Sequence, residues 1–330
     1  MKSARYLSAV FGIWLLLPLL AVEGQDLKRI KIGYPAIAYN QIHVWVAKEG
    51  GLFKKFGLDA ELVFFRGGQL ATQALVAGDP PIVNIGTVVQ AGLQGHDLAL
   101  IGSSEPAYAY SVVTKPTLSR LEQLKGKKLG ISGFGSASHN AALILLRRSN
   151  LEPNRDVALV VAGATIERLA ALDGGRIDAT LVTPSELPRA RKQGLVEIYD
   201  MMDLGIEVQG NGFATTRSFI KSQRETVKSA LKGYVEAIHY IHHYPDESKK
   251  IIARHLRLDS AELVDEVYRE FAEKIVPEIP YPTLEGIKTI LNEAAKIQPK
   301  ASLARASDFV DLTLVQELEG EGFFKKLYGK

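Results

Sequence analysis

The sequence predicts an α/β protein folded as two similar lobes, and three observations carry that prediction. Short runs of strand length alternate with helix-length segments from residue 29 to residue 182. Two stretches in that region, Ala71–Thr87 (ATQALVAGDPPIVNIGT) and Glu167–Thr183 (ERLAALDGGRIDATLVT), echo each other: helix, Gly plus Asp, strand, then a small polar residue. From Ser218 onward the chain turns helical. Strand–helix alternation implies mostly parallel sheets covered by helices on both faces. The echo implies two α/β lobes, although any helix–turn–strand unit shares its outline.

Each element follows from local signals. Arg29–Tyr34 (RIKIGY) alternates charged and apolar residues, as a half-buried strand does. Asn40 caps a helix that reaches Lys48, and Gly50-Gly51 stops it. Ala60–Phe65 is a second strand, followed by the turn Arg66-Gly67-Gly68 and a helix from Gln69 to Ala77. Pro80-Pro81 must precede the next ladder, because neither donates a hydrogen bond. Ile82–Ile85 is then a strand, Val88–Leu93 a helix and Leu98–Gly102 a strand. The rhythm repeats with strand Lys128–Ser132, helix Ser138–Ser149, strand Val157–Ala162, helix Ile166–Leu172 and strand Asp178–Val182. The tail carries helices at Arg224–His243, Asp246–His255, Ser260–Phe271, Leu284–Ile297 and near Leu314–Glu319.

Composition narrows the function classes. The 330 residues suffice for one large or two moderate domains with ample core. No cysteine is present, which removes disulfide frameworks, thiolate metal sites and cysteine nucleophiles. Forty basic residues against 37 acidic ones, a net charge of +3, give no bulk excess to drive binding to a phosphate backbone. Nucleic acid is therefore not an expected partner.

Residues 1–24 read as an export signal. Lys2 and Arg5 precede an apolar run from Tyr6 to Val22, and Val22-Glu23-Gly24 places small residues for cleavage after Gly24. The run is shorter than the ~20 residues of a spanning helix and contains Pro18. An uncleaved anchor would share these features, but a lipoprotein anchor is excluded because no Cys follows. The mature chain is expected outside the cytoplasm, in the periplasm.

In open α/β sheets, ligands bind beyond the carboxyl ends of the strands. Those ends are Ala36–Tyr39, Arg66–Gln69, Gly86-Thr87, Ser103–Glu105, Ser132–His139, Gly163–Thr165 and Thr183–Glu186. Ser132–His139 (SGFGSASH) is the richest. Its glycines allow a tight turn, Ser136 or Ser138 caps the following helix, and free N–H groups there favour an anionic or carbonyl group. An ordinary capped helix start has the same pattern. Enzyme motifs fail by specific residues: Gly133-Phe134-Gly135 lacks the third Gly of a dinucleotide fingerprint, and Gly130–Phe134 misses the last position of a nucleophile elbow. His239, His242 and His243 sit at helical spacing without an HExxH, and Tyr240 and Tyr244 interleave them, so packing explains them as well as a metal would.

Four segments, in order, carry a resemblance: Ala47–Leu58 (AKEGGLFKKFGL), Leu124–Ser138 (LKGKKLGISGFGSAS), Arg168–Asp178 (RLAALDGGRID) and Gly322–Tyr328 (GFFKKLY). Through them the mature chain resembles the substrate-binding proteins of ABC importers of the nitrate/sulfonate/taurine family. The resemblance implies the type II periplasmic binding protein fold, two α/β lobes with a ligand cleft between them. It implies crossovers near Tyr110–Thr114 and Gly212–Thr216, lobe one at 27–112 plus 214–330, and lobe two at 113–213. It also implies a monomer that takes a small organic anion by lobe closure and delivers it to a membrane permease, without a cofactor. Pro80-Pro81 departs from the family pattern after Gly78-Asp79, which loosens the placement of Gly86-Thr87.

The site residues implied are Ser132, Gly135, Ser136 and Ser138 as donors at the helix terminus, with Thr87, Thr183 and Ser185 as further polar contacts. Tyr39 and Tyr108 would wall the pocket. Arg66, beside Gly67, would pair with a carboxylate or sulfonate, unless it is a solvated loop arginine. Ser104 and Asn211 complete the set. Two rival readings share the fold: a periplasmic or thiamine-precursor-related enzyme, and a sensor that reports ligand occupancy to a membrane receptor. Fungal-type thiamine-precursor synthases depend on a cysteine-rich segment that this chain lacks.

Overall fold

The computed structural model describes residues 26–329; the predicted leader and its cleavage point after Gly24 lie outside them. The chain enters through β1 (Lys28–Tyr34), whose Ile30 and Ile32 face the core. A 3-10 turn at Tyr39–Gln41 leads into α1 (Ile42–Glu49), and Gly51, at φ +69°, separates it from α2 (Leu52–Lys55). Then come β2 (Leu58–Phe64), α3 (Gly68–Ala77), β3 (Ile82–Ile85), α4 (Val88–Leu93) and β4 (Leu98–Ser103). The middle of the chain supplies β5 (Ser111–Thr114), β6 (Lys128–Ile131), α5 (Ala137–Arg148), β7 (Ala158–Val161), α6 (Thr165–Asp173), β8 (Ala179–Val182), α7 (Leu187–Lys192) and β9 (Val196–Asp200). After β10 (Gly212–Thr216) the chain is helical: α8 (Arg217–Ser222), α9 (Arg224–His243), α10 (Pro245–Leu256), α11 (Ala261–Arg269), a π-helical turn at Glu270–Ile275, α12 (Leu284–Ala295), α13 (Thr313–Gly320) and α14 (Phe323–Tyr328).

Two five-stranded sheets result, ordered β2-β1-β3-β10-β4 and β7-β6-β8-β5-β9. They share one plan. Three strands run parallel, and the fourth place is taken by a strand that arrives from the other lobe. That strand is antiparallel to both neighbours: β10 to β3 and β4, β5 to β8 and β9. The expected sheets were mostly parallel; the inserted strand runs the other way because the chain is returning across the gap. The echoing stretches of sequence are equivalent in this plan, forming α3–β3 in one lobe and α6–β8 in the other. The residues read as crossovers are the inserted strands themselves, and segments 104–110 and 201–211 join the two sheets.

Strand and helix signals locate most elements to within a few residues. β9 (VEIYD) left no signal because all five residues are half-buried and Glu197 and Asp200 interrupt it, so no apolar run forms. The helices α2, α7, α8 and α14 span four to six residues, too short for a 3.6-residue period to register.

The first lobe is built around α9. Val227, Leu231, Tyr234, Ile238 and Ile241, at helical spacing, are buried against Trp45 of α1 and Phe53 of α2. Gly233 permits that approach, since a Cβ there would lie 2.6 Å from Phe53 Cδ1. A second apolar cluster runs through both lobes, joined by Tyr108, Tyr110, Met201 and Val208 of the connecting segments. Fully burying such side chains contributes about 1.5–3 kcal/mol each. Phe213, wholly buried and stacked on Tyr234 at 4.6 Å, sits on the inserted strand β10. Phe213→Ala should cost about 3–5 kcal/mol in urea unfolding, with both lobes lost in one transition.

His43 is wholly buried in the same cluster, edge-on to Tyr234 at 4.5 Å and stacked on Phe271 at 6.0 Å, and burial lowers its pKa to about 3. The unfolded chain binds this proton near pH 6.5, so it binds more protons than the folded chain between the two values. Stability should therefore fall as pH drops from about 6.5 toward 3, by up to about 1.4 kcal/mol per pH unit from this residue. Urea titrations of His43→Leu across that window should show a slope smaller by up to one proton.

Candidate ligand-binding site

The loops at the carboxyl ends of the strands meet between the lobes, and one hydrogen-bonded network spans the junction. The Tyr39 amide, entering the 3-10 turn after β1, donates to Ser185 Oγ of the second lobe at 3.2 Å. Ser185 Oγ lies 3.1 Å from Thr183 Oγ1, and Thr183 donates to Glu186 Oε2 from its amide and its hydroxyl at 3.0 and 2.8 Å. On the other side, the Tyr39 hydroxyl donates to Glu105. Glu105 Oε2 also accepts from the Asn211 amide at 2.9 Å, Asn211 Nδ2 at 2.7 Å and Asn40 Nδ2 at 3.4 Å. Burial, reinforced by the neighbouring carboxylate, raises the Tyr39 phenol well above its ordinary pKa, so it remains a donor.

Four residues singled out in the sequence, Tyr39, Thr183, Ser185 and Asn211, are thus joined around one that was not. Glu105 lies two residues beyond the end of β4 and is 1% exposed. The strand end Ser103–Glu105 marked its position, but nothing in the sequence marked its burial.

A second cluster forms at the start of α5. Ser136 Oγ accepts from the His139 amide at 3.2 Å, the expected cap. Ser138 Oγ accepts from the Ser132 amide at 2.9 Å and lies within 2.9 and 3.1 Å of the Ser132 and Ser136 hydroxyls. Gly135, at φ +78°, turns its amide onto His139 Nδ1 at 3.0 Å. Beside this cluster, the Tyr108 hydroxyl and the Asn140 side-chain amide are buried next to each other, without a well-formed hydrogen bond. Tyr108 stands edge-on to Tyr110 at 6.0 Å, and burial raises the pKa of both.

Of the remaining candidates, only Ser104 touches these networks. Thr87 bonds Thr72 Oγ1 at 2.5 Å within the first lobe. Gly67, at φ +103°, starts α3. Ser104 donates its amide to the Asn211 carbonyl at 3.3 Å, while its buried hydroxyl has no partner. Arg66 is 73% exposed and pairs with Glu167 of α6 at 2.6 Å, across the lobes. Its charge is therefore met by a carboxylate of the protein. Glu167 also accepts from the Ala164 amide at 2.8 Å. A second exposed pair across the junction joins Arg191 of α7 to Glu266 of α11 at 3.4 Å. Arg168 is deeply buried and donates to Thr180 Oγ1, Thr165 Oγ1 and the Gly163 and Leu181 carbonyls, which ties the loop after β7 to strand β8. It was read only as part of a motif.

Two cavities open along the junction. One of about 450 Å³ lies between the connecting segments and is lined by Pro106–Tyr108, Met201, Met202 and Leu204–Val208. Another of about 370 Å³ is lined by Ser111, Arg191, Glu197, Asp200 and the turn from Glu270 to Lys274, among others. Of the residues selected from sequence, only Tyr108 lines either.

The profile of the family described as NMT1/THI5 like matches residues 38–248. The chain belongs to that family. A Brucella abortus (strain 2308) protein, provisionally named a binding protein, is 22% identical over 240 residues, covering 72% of this chain and 74% of that one. Among solved structures, the periplasmic aliphatic sulphonate binding protein SsuA from Escherichia coli superposes with a TM-score of 0.69 at 20% identity, over 86% of this chain and 92% of SsuA. The periplasmic nitrate-binding protein NrtA from Synechocystis PCC 6803 gives 0.70 at 12% identity, over 90% and 89%. These likenesses establish the fold: this NMT1/THI5-like chain has the two-lobed architecture of periplasmic binding proteins.

Glu167→Gln keeps the acceptor that caps α6 and removes the charge facing Arg66. Unfolding free energy should change by less than about 1 kcal/mol, as for exposed pairs generally. The lobe separation measured by small-angle scattering should respond to salt in the parent chain and lose part of that response in Glu167→Gln.

Proposed function

We propose that this NMT1/THI5-like protein is the exported solute-binding component of an ABC importer. In this reading it takes up a small organic anion, such as a sulfonate or carboxylate, by lobe closure and presents it to a membrane permease. The observation that carries the reading is the hydrogen bond between Tyr39 and Ser185, which joins strand-end loops of opposite lobes where binding proteins hold their ligands. The names of SsuA, NrtA and the Brucella protein support it, being those of proteins that bind sulphonates, nitrate or an unspecified partner.

Ligand would enter between lobe one (27–112 plus 214–330) and lobe two (113–213), with 104–110 and 201–211 flexing as the hinge. An oxyanion would lie over the first turn of α5, held by Ser132, Gly135, Ser136 and Ser138, with Tyr108 donating its buried hydroxyl. Tyr39, Thr87, Ser104, Thr183, Ser185 and Asn211 would contribute polar or ring contacts, and Arg66 with Gly67 would stand at the rim. The protein would act as a monomer in the periplasm, after cleavage following Gly24, and turn nothing over. The rival synthase reading rests on cysteines, and the chain has none. A sensor that reports occupancy to a receptor would use the same closure.

Ligand binding to the folded state alone stabilises it by about 2.7 kcal/mol at a hundredfold excess over Kd. Screening residues 25–330 by thermal shift against sulfonates, nitrate and carboxylates should give at least one clear rise in Tm, with a decrease in radius of gyration by scattering. Ser136→Ala should then weaken that ligand about tenfold, or about 1.4 kcal/mol. Absence of any shift across the screen would count against solute capture.

A further inference from the structure

The most unusual group in the described structure is the Glu105 carboxylate. It is 1% exposed, yet every hydrogen bond it accepts comes from a neutral donor: Tyr39 Oη, Asn40 Nδ2, and the amide and side chain of Asn211. No Lys, Arg or His pairs with it among the described residues. Taking a carboxylate out of water without a counter-charge is costly, and proteins ordinarily supply a cation. The basic side chains nearby are already committed. Arg66 meets Glu167, and Arg168 spends its donors on oxygens of the second lobe. The unmatched charge at the lobe junction is negative.

Its surroundings suit a cation. Burial first, and the Glu105 charge second, keep the hydroxyls of Tyr39, Tyr108, Tyr110 and Tyr234 protonated, so the groups around the carboxylate are neutral. The backbone is shaped to it as well: a Cβ on Gly210 would lie 2.6 Å from Glu105 Cγ. Tyr39 links this carboxylate to the second lobe, since its hydroxyl donates to Glu105 and its amide to Ser185. The contact from Asn40, at 3.4 Å, is the longest of the four and the one most readily exchanged for a ligand N–H.

We infer that Glu105 selects ligands carrying a protonated amine or another cationic nitrogen, which donates to its carboxylate from within the cleft. The assignment rests on the solute-capture reading and sharpens it: the ligand carries a positive end in addition to any acidic group held at α5.

Matched probe pairs test it by calorimetry: aminomethanesulfonate against methanesulfonate, β-alanine against propionate, and ethylammonium against ethanol. The aminated member should bind at least about tenfold tighter, and Glu105→Gln should reduce that preference to less than about twofold. N-acetyl-β-alanine, which keeps the chain but loses the charge, should bind the parent protein no better than propionate, a check that does not depend on the variant folding. Equal affinity within the pairs that bind would overturn the Glu105 assignment and leave solute capture standing. Equal weakening of both members by Glu105→Gln would make Glu105 a structural tie. Failure of every probe, aminated or not, would remove solute capture itself and the assignment with it.

Discussion

The constraint on which the rest depends is the exchange of strands between the lobes. β5 and β10 lie inside the sheets they enter, each hydrogen-bonded on both sides. Neither can leave without splitting its sheet between the third strand and the edge strand. The packing around β10 allows little adjustment: a Cβ on Gly212 would lie 2.5 Å from the Gly102 carbonyl oxygen, and Phe213 is wholly buried. Relative motion of the lobes is thereby confined to 104–110 and 201–211. These short segments also carry Glu105, Tyr108 and Asn211. In the proposed capture, the residues that would answer to a ligand and the residues that would bend are the same, which would link occupancy to closure.

Charge is distributed to the same end. The net charge of +3 over 330 residues produces no field strong enough to attract anions from a distance. Selectivity has to come from local groups, and these are segregated. Exposed arginines meet exposed carboxylates at the rim, as in Arg66–Glu167 and Arg191–Glu266. The interior of the junction holds neutral hydroxyls, amides and rings around one buried carboxylate. Rim pairs are screened by salt and contribute little. The interior groups work in a lower dielectric, where a misplaced charge is far more costly.

The sequence made the strand ends legible because they follow from periodicity, and with them came Tyr39, Thr183, Ser185 and the capping serines. It also exposed the repeat, since α3–β3 and α6–β8 retain the same order of residue types. Three things were hidden, each for a physical reason. The direction of β5 and β10 depends on which sheet captures them, and runs such as SVVT and GFATT contain no such information. The partner of Arg66 lies 101 residues away, so a loop arginine and an interlobe clamp look alike in the sequence. Burial of Glu105 comes from Tyr39, Asn40 and Asn211 converging on it, whereas an acid in a polar loop reads as solvated.

Contacts across the junction also say how firmly the lobes are held. Tyr39–Ser185 is one neutral hydrogen bond, contributing about 0.5–1.5 kcal/mol net. The two rim pairs are each about a third or more exposed on both partners and contribute up to about 1 kcal/mol apiece. Arg147 of α5, paired with Glu293 of α12 at 2.7 Å, is better shielded, with only 10% and 15% of the side chains exposed. It joins the second lobe to α12, whose first turn packs so closely on the second connecting segment that a Cβ on Gly286 would meet the Gln209 amide at 2.5 Å. A pair there fixes the pivot rather than the mouth. The mouth is therefore held by a few weak contacts totalling about 0.5–3.5 kcal/mol, which the lost freedom of the side chains and hinge offsets. An equilibrium so near balance is one that a ligand touching both lobes can tip, since a shift from mostly open to mostly closed needs only about 5.5 kcal/mol of differential affinity.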